Sequence, residues 1–303
     1  MASSLAGKVV LITGPARGIG AETARRLAAR GARLSLVGRE PALLAALAAE
    51  LGAGHAWFEA DVTDQAALDR AVAGTVERLG GIDVVFANAG IASNGTVAVT
   101  PVEALVRTIE VNLIGVVRTI SATLPHVTAR RGYYLLMSSA SALAPLPAMA
   151  PYSASKIAVE QFGNALRLEV AHKGVDVGVA HPSWIDTDLV RDQQRELGTF
   201  NQTLRALPGP FGRVTPLAEC VDALVDGMER RRRKVFVPKS LAPLAAIRQF
   251  FSSPMAERAT MKSAARMVPR LEAEVQALGR AFGEHSVGRG DVPAEPGAGG
   301  SPG

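Results

Sequence analysis

Tyr152 and Lys156 stand four residues apart in PYSASKIAVEQFGNALRLEV, a stretch whose pattern predicts a helix, and Ser139 lies thirteen residues before the tyrosine at the end of the apolar run YYLLMSS. At i and i+4 two side chains share one helix face, which sets the lysine ammonium close to the phenol. A free phenol titrates near pH 10, and proton transfer works best when the pKa of the acid lies near the working pH. A neighbouring cation favours phenolate, and lowering the pKa by roughly 3 units takes about 4 kcal/mol of such stabilisation, within reach of one desolvated cation plus a charged cofactor ring. The chemistry expected of the pair is therefore general acid/base transfer by Tyr152, with Lys156 lowering its pKa.

A second cluster, Thr13-Gly14-Pro15-Ala16-Arg17-Gly18-Ile19-Gly20, follows an apolar run and opens a helix-period segment. Glycines let the backbone turn tightly and approach a pyrophosphate, while a helix N-terminus offers free N–H donors. The residue ending the next strand sets the cofactor, because an acid there suits the ribose hydroxyl of NAD and an arginine suits a 2′-phosphate. This chain has Gly38-Arg39, and Arg17 can add a second guanidinium in bidentate fashion. The expected cofactor is NADP(H), with Glu40 leaving NAD as the alternative.

These residues need a frame, and the chain supplies one. KVVLIT, ARLSLVG, HAWFEADV, IDVVFANAG, YYLLMSS, VDVGVAHP and KVFVP are near-continuously apolar, as parallel strands covered on both faces should be. Helix-period segments alternate with them, so the fold class expected is α/β, a Rossmann-like doubly wound seven-stranded parallel sheet with helices on both faces. Residues 1–240 form this domain. Within it, 186–213 is long for a connection and reads as a lid. Residues 241–285 read as a helical extension, in which Leu271, Val275, Leu278 and Phe282 mark an amphipathic helix. Residues 286–303, rich in Gly and Pro, have little to bury and are expected to be disordered, with the Arg-Gly-Asp triplet at 289–291 coincidental.

Composition narrows the function classes. With 303 residues, 48% of them hydrophobic and 20% charged, the chain can bury a substantial core. MASSLAGK has no apolar signal region and no run reaches membrane-span length, so a cytoplasmic location is expected. Cys220 is the single cysteine, which excludes an internal disulfide and argues against a Cys-based metal site; no metal is expected. The net charge of +5 does not indicate nucleic acid, because aromatics are only 5% and no binding module is present. The basic run at 230–234 reads as a solvated helix C-terminus.

Taken in order and spacing, Thr13-Gly14-x-x-x-Gly18-x-Gly20, Asn88-Ala89-Gly90, Asn112 in EVNLIG, Ser139 and Tyr152-x-x-x-Lys156 resemble the motifs of the short-chain dehydrogenase/reductases across residues 6 to 240. The resemblance implies that Tyr152 exchanges a proton with the substrate oxygen as hydride moves to or from a nicotinamide. Ser139 would hold that oxygen, with Ser138 as its rival by position. Lys156 would bind the nicotinamide ribose and tune Tyr152, and Asn112 would position a water that relays protons to the lysine. By the same resemblance Asp61 and Val62 flank the adenine, Asn88 and Gly90 line the cofactor cleft, and Pro182, Ile185 and Thr187 meet the nicotinamide end. The family usually has Pro-Gly where this chain has Pro182-Ser183, and serine reaches positive φ less easily than glycine.

Leu143, Met149, Trp184, Leu189, Phe200 and Phe211 are the candidate pocket residues, with ordinary lid-to-core packing as the equal alternative, and an apolar lining favours a bulky lipophilic ketone, aldehyde or alcohol. Charged anchors for a CoA or sugar phosphate are not evident, although Arg191 and Arg195 could serve. The resemblance further implies a homodimer or homotetramer paired through helices at about 101–126 and 151–172. Two rival readings are a catalytically silent NADP(H)-binding sensor and an enzyme held on a membrane surface through LAPLAAIRQFF and the basic run.

Overall fold

The computed structural model describes residues 3–144, 146–207, 209–249 and 253–284. The apolar runs become strands β1 (Val9–Thr13), β2 (Arg33–Gly38), β3 (Ala56–Glu59), β4 (Val84–Ala87), β5 (Tyr133–Met137) and β6 (Asp176–Pro182). Two-residue strands β7 (Trp184–Ile185) and β8 (Val214–Thr215) pair with each other, and β9 (Lys234–Val237) completes the main sheet. That sheet is wholly parallel, in the order β3-β2-β1-β4-β5-β6-β9. It is the doubly wound seven-stranded sheet expected from the alternation of elements.

Because side chains alternate across a strand, each run feeds two layers. Val10, Ile12, Leu34 and Leu36 pack on α1 (Gly18–Ala29), α2 (Pro41–Leu51) and α9 (Leu217–Glu229). Leu11, Val37, Val85 and Tyr134 face α3 (Gln65–Leu79), α5 (Gly115–Ala129) and α6 (Ala150–Val170). The strand order reverses between β1 and β4, and at such a switch point the loops leaving the carboxyl ends diverge and open a crevice.

Two strands end earlier than their apolar runs suggest. β3 stops at Glu59, since Asp61 turns to accept from the amide and hydroxyl of Thr63 (both 2.8 Å) and Asp64 caps α3 through the amide of Ala67. β4 stops at Ala87, since the Asn88 amide group donates to Thr13 O (3.1 Å) and Gly14 O (3.0 Å) instead of extending the ladder.

α4 (Val102–Ile109) runs through a π turn at Glu110–Ile114 into α5. Residues 186–213 hold α7 (Asp188–Glu196) and α8 (Gly198–Ala206), and the β7–β8 pair clasps the base of that segment. Beyond β9 come α10 (Leu241–Ala246) and α11 (Pro254–Leu278). Leu271 and Val275 are buried in a cluster with Leu197, Phe200 and Val99, so the apolar stripe of α11 closes on α8. Phe282 lies past the helix end, bridging antiparallel to Ser93. No helix of the described residues is long and apolar enough to cross a membrane. The tail expected at 286–303, Phe250 and Phe251 lie outside the described residues.

The basic run is tied to carboxylates: Arg230 Nε and Arg232 Nε reach Asp226 at 2.5 and 2.9 Å, and Arg231 reaches Asp176 at 3.5 Å. Lys234 takes part in a deeper junction. Glu160 of α6 is 2% exposed and accepts from Lys234 Nζ (2.9 Å) and Arg248 Nη1 (3.0 Å), with His181 Nε2 at 3.4 Å. Burial works against its ionisation, but His181 and Lys234 hold its carboxyl down at about 2 against 4.5 unperturbed. A folded pKa below the unfolded one gives stability that is present above pH 4.5 and lost as the pH falls through about 2. Glu160→Gln should therefore lower stability by about 3 kcal/mol at pH 7. Urea unfolding of the two proteins should show that gap narrowing as the pH is taken below 4.5.

Candidate active site

The glycine turn is shaped by positions that admit no side chain. Gly14 and Gly18 have φ of +66° and +51°, where glycine alone is unstrained. A Cβ on Gly20 would sit 2.4 Å from Gly14 O and 2.7 Å from Asn88 Nδ2. Thr13 Oγ1 accepts the amides of Asn88 (3.1 Å) and Ala89 (3.2 Å), so β1 and β4 are knotted just where they diverge. α1 starts directly behind, with no side-chain cap and no acid in its first turn. Its free N–H groups face the crevice, and the turn fits a dinucleotide pyrophosphate.

β5 delivers the two serines. Ser138 Oγ donates to the main-chain O of Lys156 (2.7 Å) and is buried, which spends it on joining β5 to α6. Ser139 Oγ donates to Pro182 O (3.4 Å), accepts from Ser141 N (3.1 Å), and lines the cavity. Ser138 lines the same cavity, so what separates the rivals is that its hydroxyl is committed to α6 while the Ser139 hydroxyl meets Tyr152.

The tyrosine and lysine do share one helix face, but not in the electrostatic relation expected of them. Lys156 Nζ lies 5.5 Å from the Tyr152 ring centroid and donates to Met137 O (2.9 Å). Burial raises the Tyr152 phenol above its ordinary value, the Ser139 hydroxyl opposing this only in part. Burial also lowers Lys156 to about 8. Burial thus favours the neutral form of both groups, and the expected lowering of the phenol calls on the charge of a cofactor ring as well as the lysine.

Asn112 is fully buried in the π turn, behind the cavity wall. Its Oδ1 accepts from Ile91 N (2.8 Å), and its Nδ2 donates to Ile91 O (2.9 Å) and Ser155 Oγ (3.1 Å). Both amide protons are thus committed to fixing the loop after β4 against α6. A Cβ on Gly90 would lie 3.2 Å from Asn112 Oδ1 and 3.3 Å from Lys156 Nζ, so Gly90 lets the two groups approach.

Every residue singled out for the cofactor lines one cavity of about 940 Å³, together with Ser139, Tyr152 and Lys156. Arg17 pairs with Glu40, and Arg39 lies 3.5 Å from Asp61. Asp61 also accepts from Arg107 Nη2 at 2.6 Å. Burial disfavours its ionised form, yet Thr63 and Arg107 hold the carboxyl below its ordinary value. Arg107, on α4, has no local sequence signal for this role; only the packing of α4 beside β3's end brings it there. Thr187 packs its methyl toward Gly18, and a Cβ on that glycine would meet it at 3.4 Å. Ser183 is not among the described residues with positive φ, and its amide donates to Val237 O (2.8 Å). The Pro182-Ser183 departure is therefore absorbed in extended backbone between β6 and β7.

The wall for a substrate differs from the expected set. Met149, Trp184, Leu189 and Phe211 line the cavity. Leu143 and Phe200 do not: Leu143 is buried beneath the wall, and Phe200 stands edge-on to Trp184 (5.1 Å) within the cluster under α11. Arg191 Nε is paired with Asp186 (2.7 Å) and Arg195 with Asp192, and neither lines the cavity. Gln202, Thr203 and Ala206 of α8 and Ser263, Arg266, Met267 and Arg270 of α11 do line it. They lie more than forty residues past the last motif, and only the docking of α11 on α8 brings them in.

Residues 8–198 match the model of the short chain dehydrogenase family, and the chain belongs to that family. It is an NAD(P)(H)-dependent oxidoreductase acting on CH–OH groups of small molecules. It is similar to the glycine betaine reductase ATRR of Emericella nidulans, 35% identical over 190 residues, which are 61% of this chain and 15% of that much longer protein. It is 34% identical to an uncharacterized oxidoreductase of Listeria innocua over 207 residues, 65% of this chain and 84% of that one. It is 33% identical to the 11-beta-hydroxysteroid dehydrogenase 1A of Arabidopsis thaliana over 247 residues, 78% of this chain and 69% of that one.

A lysine whose folded pKa is near 8 binds fewer protons folded than unfolded between pH 8 and 10.5, so its burial destabilises the fold below pH 8 and the penalty fades as the pH rises. Lys156→Met should be more stable than the wild type by about 2 kcal/mol at pH 7. Urea midpoints at pH 7 and pH 10 should show that advantage shrinking at the higher pH.

Proposed function

We propose that the protein interconverts a secondary alcohol and a ketone, or an aldehyde, on a lipophilic substrate, using NADP(H). The observation that carries this reading is that Ser139, Tyr152 and Lys156 line the same cavity as the glycine turn. The bound nicotinamide would supply or accept hydride at the substrate carbon. Gly14, Arg17, Gly18, Ile19 and Gly20 would hold the pyrophosphate, Asp61 and Val62 the adenine, and Asn88, Gly90, Pro182, Ile185 and Thr187 the nicotinamide half. Arg39 and Arg17 would share the 2′-phosphate, with Asp61 steadying Arg39 and Arg17 neutralising Glu40, the carboxylate that would otherwise favour NAD.

At the reacting atoms, Ser139 donates a hydrogen bond to the substrate oxygen as charge develops there. Tyr152 passes its proton to that oxygen in reduction and takes it back in oxidation. A phenol held above its ordinary pKa is a weak acid, so the role rests on Lys156 and the charge of the bound cofactor bringing it toward the working pH. Lys156 holds the nicotinamide ribose, and Asn112 is a positioning residue that fixes Gly90 and Ile91 beside the lysine. The segment 186–213 acts as the lid, and the apolar side chains of Met149, Trp184, Leu189 and Phe211 favour a lipophilic body. The similarity to a hydroxysteroid dehydrogenase supports the same class.

Exposed Val102 and Val106 on α4 and Ile157 and Leu168 on α6 support assembly as a homodimer or homotetramer through these helices. Light scattering after size exclusion should give two or four chains, and a monomer at micromolar concentration would refute it.

NADPH oxidation followed over a panel of ketones and aldehydes tests the main reading. Tyr152→Phe should lower kcat at least ~100-fold with NADPH binding retained. Equal rates with NADH and NADPH would refute the role given to Arg39, and NADPH binding without turnover on any carbonyl would favour a silent sensor.

A further inference from the structure

We infer that Arg266 and Arg270 form an anion subsite at the cavity wall, so that the substrate is a lipophilic ketone or alcohol carrying a carboxylate or phosphate. The inference rests on the lipophilic-substrate reading and adds a charged end to it. Both arginines lie on α11, one turn apart, and line the cavity beside Ser263 and Met267.

Contacts made by the residues that follow Arg270 on α11 fix this orientation. Leu271 and Val275 are buried against Leu197, Glu272 accepts from Thr96 Oγ1 (2.6 Å), and Glu274 accepts from the hydroxyl of Thr199 (2.7 Å). The helix's own nearby carboxylates are thereby spent on the loop after β4 and on α8. Among the described residues no carboxylate lies within ion-pairing distance of Arg266 or Arg270. Arg191 and Arg195, on the lid, are each paired with an aspartate.

Two guanidinium groups one turn apart repel, and a shared anion relieves that repulsion while matching their bidentate geometry. Both are exposed, so the charged end of a ligand would stay at the solvated rim while its apolar body reaches Trp184 and Leu189.

Trp184 lines the cavity, so tryptophan fluorescence of the cofactor-free protein reads occupancy without any turnover. Decanoate and decyl phosphate should each bind about tenfold more tightly than 1-decanol, a difference expected of one charge-assisted contact. The double variant Arg266→Gln/Arg270→Gln should lose that preference and keep its decanol affinity, which also reports an intact pocket. The tighter of the two anions identifies the headgroup. A preference that survives in the double variant, or its absence in the wild type, overturns the subsite. So does a loss of NADPH affinity with the preference intact, which would assign the arginines to the cofactor. Failure of the parent reading would show separately, as no NADPH oxidation with any carbonyl.

Discussion

The hold on Lys156 is the constraint from which the rest of the site follows. Its main-chain carbonyl accepts from Ser138 and its ammonium donates to Met137 O, so the end of β5 grips α6 twice within one turn. Burying an ammonium against one carbonyl is unfavourable, and the lowered pKa is the sign of it. What the fold gains is placement. With α6 fixed at this point, Tyr152 stands one turn back over the cavity, and Ser139, the neighbour of the gripping serine, faces it. One turn onward, Glu160 locks the same helix to β6 and β9 through His181 and Lys234. Three successive turns of α6 thus carry the cavity tyrosine, the buried cation and the structural anion.

The other half of the cavity depends on divergence. β1 and β4 part at the switch point, and Thr13 and Asn88 tie them together at the last residue before they do. The loop that leaves β1 can then turn through Gly14 and Gly18 into α1 without any side chain filling the space a phosphate needs. Asn112 performs the matching task on the far side, using a π turn to reach the main chain of Ile91. Both asparagines act on backbone, which is why substituting either would shift geometry before chemistry.

Reading the chain alone recovered the sheet, because strands buried on both faces leave an unbroken apolar record. The glycine turn and the Ser-Tyr-Lys set were legible because they are short-range patterns whose spacing is fixed by one turn or one helix face, and the fold brings them to one cavity. At Leu143 and Phe200 two readings stand equal, cavity wall or lid-to-core packing, because apolar type cannot distinguish a wall from the layer behind it; packing is what the fold shows. Arg191 and Arg195, the two arginines that could have served as anchors, are taken up by Asp186 and Asp192, their near neighbours in sequence.

The sequence by itself determined the parallel sheet, the glycine turn after β1 and the tyrosine one helical turn before its lysine, since local backbone geometry fixes each of them. Only the tertiary structure decided the protonation tendencies of that pair, because burial, not spacing, dominates both. It also decided that the Ser138 hydroxyl is held by α6 while Ser139 meets Tyr152, how Arg107 reaches Asp61, and that α11 brings Arg266 and Arg270 to the wall. Those outcomes come from contacts between elements far apart in the chain, for which a one-dimensional pattern carries no distance.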